Sequence, residues 1–366
     1  MKKILLIALI VLSNYFLRAQ SECLTAPVDH VAGTTNYLYN LNGPVKVIRV
    51  NFHFLLKSDG TGNFTETSDN YSNRPYNGYM YAEYMVNECN KLWNDNPPLR
   101  HMPNPPVSNL PKKVQFQLCG VFFHRNTTAY DTYVNCTFPP DSYLENSGNV
   151  INIFITKHGD GGCASGLANG EVTNISTGYG NYKQSIDSNE MWYNSYAYRL
   201  INHEIGHLLN LDHVVQDCCT QLNDGKIPTV NCHDGIADTP DFYELLRLHY
   251  LPCEWNHPTL GSNNVMDYCA DQNSLSPMQI ERMHACIDGT KLYYRNCKYN
   301  TNSLNITSFT TNKAYIARYV TIPSNNNVVV GNTKALFINA EEVIINGTLE
   351  IQSGGILNVE TVTSCN

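Results

Sequence analysis

Apolar positions change period along the chain, and the period names the element. Ile48, Val50, Phe52 and Phe54 alternate with Arg49, Asn51 and His53, which predicts a strand with one face in a core and the other toward water. Tyr81, Met85, Cys89 and Leu92 then recur at helical intervals, and the proline-rich stretch 97–111 ends that helix. Val114, Phe116 and Leu118 mark a second strand, and the apolar run 150–155 reads as a strand covered on both faces. Ala197, Ile201, Ile205 and Leu208 stripe a helix over 194–210. Another begins at Pro277 with Ser276 as its N-cap, carrying Ile280, Met283, His284 and Ile287. This order predicts an α+β sheet with helices packed on it.

Between 210 and 266 the periodicity fades while Asp, Gly and Pro accumulate. Cys218, Cys219, Cys232 and Cys253, with Cys269 and Cys286 just beyond, suggest a loop-rich half held by cross-links. After Asn300, short apolar runs at 319–322, 328–330, 343–345 and 349–351 are separated by Asn, Gly and Ser, as in the stacked short strands of a small sandwich or a β-solenoid. A boundary at 298–304 follows, between a unit over 45–298 and a small all-β module over 305–366. Having no histidine, that module is expected to be dispensable for chemistry on a short substrate.

Composition adds the compartment. Hydrophobic residues make up 42% of 366 and charged ones 15%, enough apolar material for a large core and too little charge for a disordered chain. Met1-Lys2-Lys3, the apolar run 4–12 and Leu17-Arg18-Ala19 have the layout of a signal peptide over 1–19, so secretion is expected, with 20–44 as a leader or short pro-segment. Removing Lys2, Lys3 and Arg18 takes the formal charge from −8 to −11, which excludes nucleic acid as a partner. No other apolar run approaches the roughly 20 residues that cross a bilayer. The 13 cysteines all follow the leader and read as disulfides, the odd count leaving at least one thiol over or joined to another chain.

Chemistry concentrates in His203-Glu204-Ile205-Gly206-His207-Leu208-Leu209-Asn210-Leu211-Asp212-His213. Four residues apart on a helix, His203 and His207 sit about 40° from one another and one turn apart, near enough to share a metal. Glu204 would lie beside that metal, placed to hold a water. His213 joins them only if the helix stops and the chain doubles back, and Asn210 is the best non-glycine residue for the left-handed turn this needs. Ordinary surface or core histidines are the bland alternative, yet His-Glu-x-x-His should arise by accident only about 0.02 times in such a chain.

With these residues the sequence resembles the metzincin zinc peptidases, whose pattern is HExxHxxGxxH followed by a methionine turn. It departs from the pattern in having Asn210 in place of glycine. Within that group it is most similar to the pappalysin family, including cytophagalysin-like secreted bacterial members. The matching segments read Asp234-Gly235-Ile236-Ala237-Asp238-Thr239-Pro240, Met266-Asp267-Tyr268 and Gln279-Ile280-Glu281-Arg282-Met283. The resemblance spans about 45–290 and implies a metzincin-type catalytic domain: a mixed sheet, an active-site helix and a loop-rich C-terminal subdomain. It implies that His203, His207 and His213 bind a catalytic zinc and that Glu204 serves as general base, then acid, as zinc-activated water hydrolyses a peptide bond. Met266 would form an apolar floor, and Tyr268 would stabilise the oxyanion, the alternative for Tyr268 being an ordinary core aromatic.

Asp217, Asp224, Asp234, Asp238 and Asp241 lie among glycines, and similar loops in the pappalysins bind calcium, so Asp234, Asp238 and Asp241 are candidate calcium ligands; solvated loop charges are the other reading. For the cysteines, Cys253 with Cys269 is the preferred pair. The leading function is a secreted zinc metalloendopeptidase acting on proteins or peptides. A binding protein presenting the β module to a glycan or cell surface is the competing class, disfavoured by the intact Glu204 and histidines. A zinc amidase of another kind would share the ligands without needing the methionine turn.

Overall fold

The computed structural model describes residues 39–67, 77–100, 109–133, 139–157, 162–167, 170–175, 192–214, 234–239, 262–267, 272–289 and 291–361. Expectations that rest on residues 1–38, on Asp217, Asp224, Asp241 and Tyr268, and on Cys218, Cys219, Cys232, Cys253, Cys269 and Cys365 fall outside them.

Strand β1 (Lys46–Leu56) pairs in parallel with β2 (Val114–Arg125) and with β3 (Ile151–Ile155). β5 (Gly170–Ile175) extends the parallel set beyond β3, and β4 (Gly162–Leu167) finishes the order β2-β1-β3-β5-β4 by running antiparallel to β5. Parallel neighbours require a crossover, and helix α1 (Gly78–Asn94) supplies it between β1 and β2. The Asn77 side chain starts α1 by accepting the Met80 N–H at 3.0 Å. Tyr81, Met85, Cys89 and Trp93 of α1 join Ile48, Val50, Phe52 and Phe54 of β1 in one core, each large side chain contributing about 1.5–3 kcal/mol by leaving water. A short helix α2 (Thr127–Thr132) follows β2. Helices α3 (Trp192–Leu208) and α4 (Pro277–Asp288) frame the candidate site. Among the described residues no helix is long and apolar enough to cross a membrane.

One expectation is corrected. The polar residues of β1 do not face water: Arg49, Asn51 and His53 are all 0% exposed. His53 Nδ1 lies 2.9 Å from His124 Nε2, and His53 Nε2 lies 2.8 Å from Asn152 Oδ1, with the rings of Phe122 and Phe154 stacked alongside. Burial holds His53 well below the usual imidazole range and His124 down to about 4, so both rings are neutral and one can donate to the other. An alternating pattern does not reveal this second burial, because polar groups that find partners can be enclosed.

What encloses Arg49 is the C-terminal region. Strands β6 (Ser303–Asn305), β7 (Lys313–Ile316), β8 (Tyr319–Ile322), β9 (Asn327–Val330), β10 (Ala335–Ala340), β11 (Glu342–Ile345), β12 (Thr348–Ile351) and β13 (Ile356–Thr361) pair only in parallel, in sheets β13-β10-β7, β11-β8-β6 and β12-β9. The chain thus winds as a three-sided coil in which Lys313 lies beside Leu336 and Asn327 beside Thr348. Val320, Ile322, Val328, Val330, Leu336 and Ile338 fill its interior. β10 is buried on both faces: Leu336 and Ile338 point into the coil, while Ala335 and Phe337 belong to the core of the main sheet. Arg49 crosses between the two, its Nε donating to Asn339 Oδ1 at 2.7 Å and its other nitrogens to the carbonyls of Tyr293, Asn296 and Lys298 at 2.7–2.9 Å.

The expected boundary at 298–304 therefore runs through shared packing. Arg49→Met, which strands these acceptors in a buried site, is expected to cost on the order of 3 kcal/mol. Ending the chain after Lys298 is expected to abolish the cooperative melting transition; a truncated protein that melts near the full-length temperature would show instead that the sheet stands alone.

Candidate metal centre

Helix α3 carries His203, Glu204 and His207, and buries Ala197, Leu200, Ile201, Ile205 and Leu208 in the core. Its end is what makes a site. Asn210 stands at φ 71°, the left-handed turn that the sequence predicts. The Asn210 N–H donates to His207 O and the Leu211 N–H to Gly206 O, both at 3.0 Å, the pair of bonds that reverses a chain after a helix. The reversal returns His213 to the helix. Its Nε2 lies 2.8 Å from His203 Nε2 and 3.0 Å from His207 Nε2, and the Val214 N–H donates to Met266 O at 3.2 Å.

The outer nitrogens decide what the inner ones can do. His203 Nδ1 is 2.7 Å from Val265 O, and His207 Nδ1 is 2.8 Å from Leu211 O. A carbonyl only accepts, so each Nδ1 carries the proton and each Nε2 turns a lone pair inward. Burial, the largest cause in both, holds His203 down to about 3 and lowers His207, keeping both rings neutral. Converging imidazole lone pairs repel one another unless a cation sits between them. Three such donors, two with their outer nitrogen tied to a backbone carbonyl, fit zinc. Among the described residues this is the one group of three His, Cys, Asp or Glu side chains arranged to hold a metal.

Glu204 is 4% exposed. Burial pushes its carboxyl up to about 8, and a cation nearby would draw it back down. Gly162 of β4 passes directly above: a Cβ there would lie 3.1 Å from Glu204 Oε1 and 2.9 Å from Leu200 Cγ. Met266, fully buried, packs its Sδ against Gly206 from beneath α3.

A buried polar bracket holds the methionine turn. Asn264 Oδ1 accepts the Met266 N–H at 2.9 Å, and Asn264 Nδ2 donates to Gln279 Oε1 at 2.8 Å. Gln279 Nε2 reaches back to Asn264 Oδ1 at 3.3 Å and to Asp234 Oδ2 at 3.4 Å. Ser276 and Gln279 also form the capping box of α4. Lys112, 1% exposed, extends its Nζ to Leu92 O of α1 and to Asn273 O beyond the turn, at 2.8 and 2.6 Å.

Of the candidate calcium ligands, Asp234 and Asp238 lie among the described residues. Asp234 Oδ1 accepts from Thr239 Oγ1 at 2.6 Å and from the Ile236 N–H at 3.0 Å. Asp238 accepts from Ser276 Oγ and from the Met278 N–H at the start of α4. These carboxylates face hydroxyl and N–H donors, which a hydrogen-bonded bracket needs and a calcium cage does not. Sequence reasoning missed Gly162, Lys112 and Gln272; only Gly162 left a signal, as the last residue of Gly159-Asp160-Gly161-Gly162, a run that precedes no helix. Cys89 and Cys119 are free, buried thiols, and Cys163 and Cys297 each stand in a disulfide.

A mixed sheet thus carries a helix-borne histidine pair, completed by a third histidine after a reversal, in an arrangement that could hold a metal ion. Residues 143–288 match the model of peptidase family M43, described as pregnancy-associated plasma protein-A. Over that segment the chain is similar to the pappalysin family; the match holds all three histidines, Glu204, Met266 and the bracket, while β1, α1 and β2 precede it and the coil follows it. No individual curated protein matches the chain.

Asn210 tests the reversal. Its Oδ1 is buried without a partner among the described residues, so Asn210→Gly, which relieves both this and the left-handed strain, is expected to leave the melting temperature equal or slightly higher. Asn210→Val should lose about 1–2 kcal/mol and loosen metal retention. Equal stability of the two variants would refute the role given to the turn.

Proposed function

We propose that this protein is a secreted zinc-dependent metalloendopeptidase. The observation that carries the reading is the convergence of the His203, His207 and His213 Nε2 atoms beside the buried Glu204, in a segment that matches a peptidase family. Secretion rests on the leader over 1–19.

His203, His207 and His213 would hold zinc through their Nε2 atoms. Bound there, zinc would supply the Lewis acidity that polarises a peptide carbonyl and makes a water easier to deprotonate. Glu204 takes the proton from the attacking water and returns it to the departing amine. β4 is the outermost strand of the sheet order, and its close approach to Glu204 at Gly162 offers an extended peptide an edge on which to add as a further strand. Met266 holds the floor of the site so that the imidazoles keep their aim. Tyr268 enters only through the family resemblance, as the group that would steady charge on the carbonyl oxygen.

Purified protein is expected to contain one tightly held zinc, with chelation abolishing peptide hydrolysis and added zinc restoring it. Glu204→Ala should retain the metal and the fold while losing at least about a hundredfold in rate. Hydrolysis by metal-free protein, or a Glu204→Ala variant of near wild-type activity, would sink the reading.

A further inference from the structure

One buried side chain beside the histidines has no task in the proposed chemistry. Gln272 lies beyond the methionine turn, belongs to none of the sequence motifs and is 2% exposed. Its Nε2 donates to Asp267 O at 2.6 Å and stands 3.1 Å from His203 Nδ1. His203 Nδ1 in turn is 2.7 Å from Val265 O. Two carbonyls of one turn therefore face two donors, and the assignment is forced. The imidazole proton goes to Val265 O and the carboxamide proton to Asp267 O, since a reversed amide would press Oε1 against a carbonyl oxygen. Val265 and Asp267 flank Met266, so one turn carries the floor of the site and both acceptors.

We propose that Gln272 is a positioning residue for the metal centre. By anchoring Asp267 O it holds the methionine turn in the place where Val265 O meets the His203 Nδ1–H, and its carboxamide backs the edge of the same imidazole. His203 then keeps the tautomer and tilt that turn Nε2 inward. The other end of the side chain shows that packing alone is a poor account: Gln272 Oε1 is buried without a hydrogen-bond partner among the described residues, a cost that an apolar side chain of the same shape avoids. This inference rests on the reading of His203 as a zinc ligand.

Gln272→Met keeps the length and volume, adds no charge and removes the donor. In full-length protein it is expected to raise the zinc dissociation constant about tenfold or more, the scale of losing a group that orients a ligand, as read by competition with a chromophoric chelator. The d–d absorption of the cobalt-substituted protein should change with it, while the melting temperature of the metal-free protein stays near wild type. Gln272→Asn, whose shorter donor falls short of Asp267 O, should show the same loosening and serves if the Met variant does not fold. Unchanged zinc affinity and an unchanged cobalt spectrum in these variants would overturn the proposal. Wild-type protein titrated alongside separates the two failures: if it binds no zinc, the metal-centre reading falls and takes this inference with it; if it binds one zinc that the variants hold as tightly, only the role of Gln272 falls.

Discussion

Everything in the candidate site depends on the end of α3. A helix can present His203 and His207 together because four residues make slightly more than one turn, but no residue further along the same helix can complete a three-sided cradle. The chain must leave the helix at once and turn back within a few residues. Asn210 at φ 71° accomplishes this, and the two backbone bonds it permits, to the carbonyls of Gly206 and His207, satisfy acceptors at the end of the helix. Because the Leu211 carbonyl accepts from His207 Nδ1, the reversal also orients one of the imidazoles it assembles.

The methionine turn, the Asp-Thr-Pro loop and α4 lie tens of residues apart, yet in space they form one hydrogen-bonded object. Asn264 and Gln279 exchange bonds through their carboxamides, and Gln279 reaches Asp234. Arg282 Nη1 donates to the Asp234 carbonyl at 3.1 Å. Such a network ties these residues to one another, since each buried polar atom is tolerable only while its partner is present. The apolar contact of Met266 with α3, and the Val265 carbonyl on His203 Nδ1, are where this object meets the histidines.

Much of this was legible in the sequence, for identifiable reasons. Helices α3 and α4 show their apolar stripes because one face of each meets the core, and Ser276 with Gln279 announces the cap. The histidine spacing is local geometry and needs no tertiary knowledge. Hidden were features that depend on distant partners. The polar side of β1 reads as solvent-facing until Arg49 and His53 acquire their enclosing neighbours. Gln272 carries no periodic or motif signal, since its importance lies in one carbonyl five residues before it. Asp234 and Asp238, acidic residues among glycines, look the same in sequence whether they face a cation or a set of hydroxyl and N–H donors.

Arg49 also sets an order of events for the growing chain. It belongs to the first strand of the sheet, yet its Nε partner Asn339 comes 290 residues later. Until β10 exists, the outer nitrogens of Arg49 can meet the carbonyls of residues 293–298, but its Nε lacks Asn339 and must be solvated by water. Contacts of such long sequence separation form late. The sheet that supports the histidines is thus sealed against water only once β10 has packed on it, long after its own strands have been made.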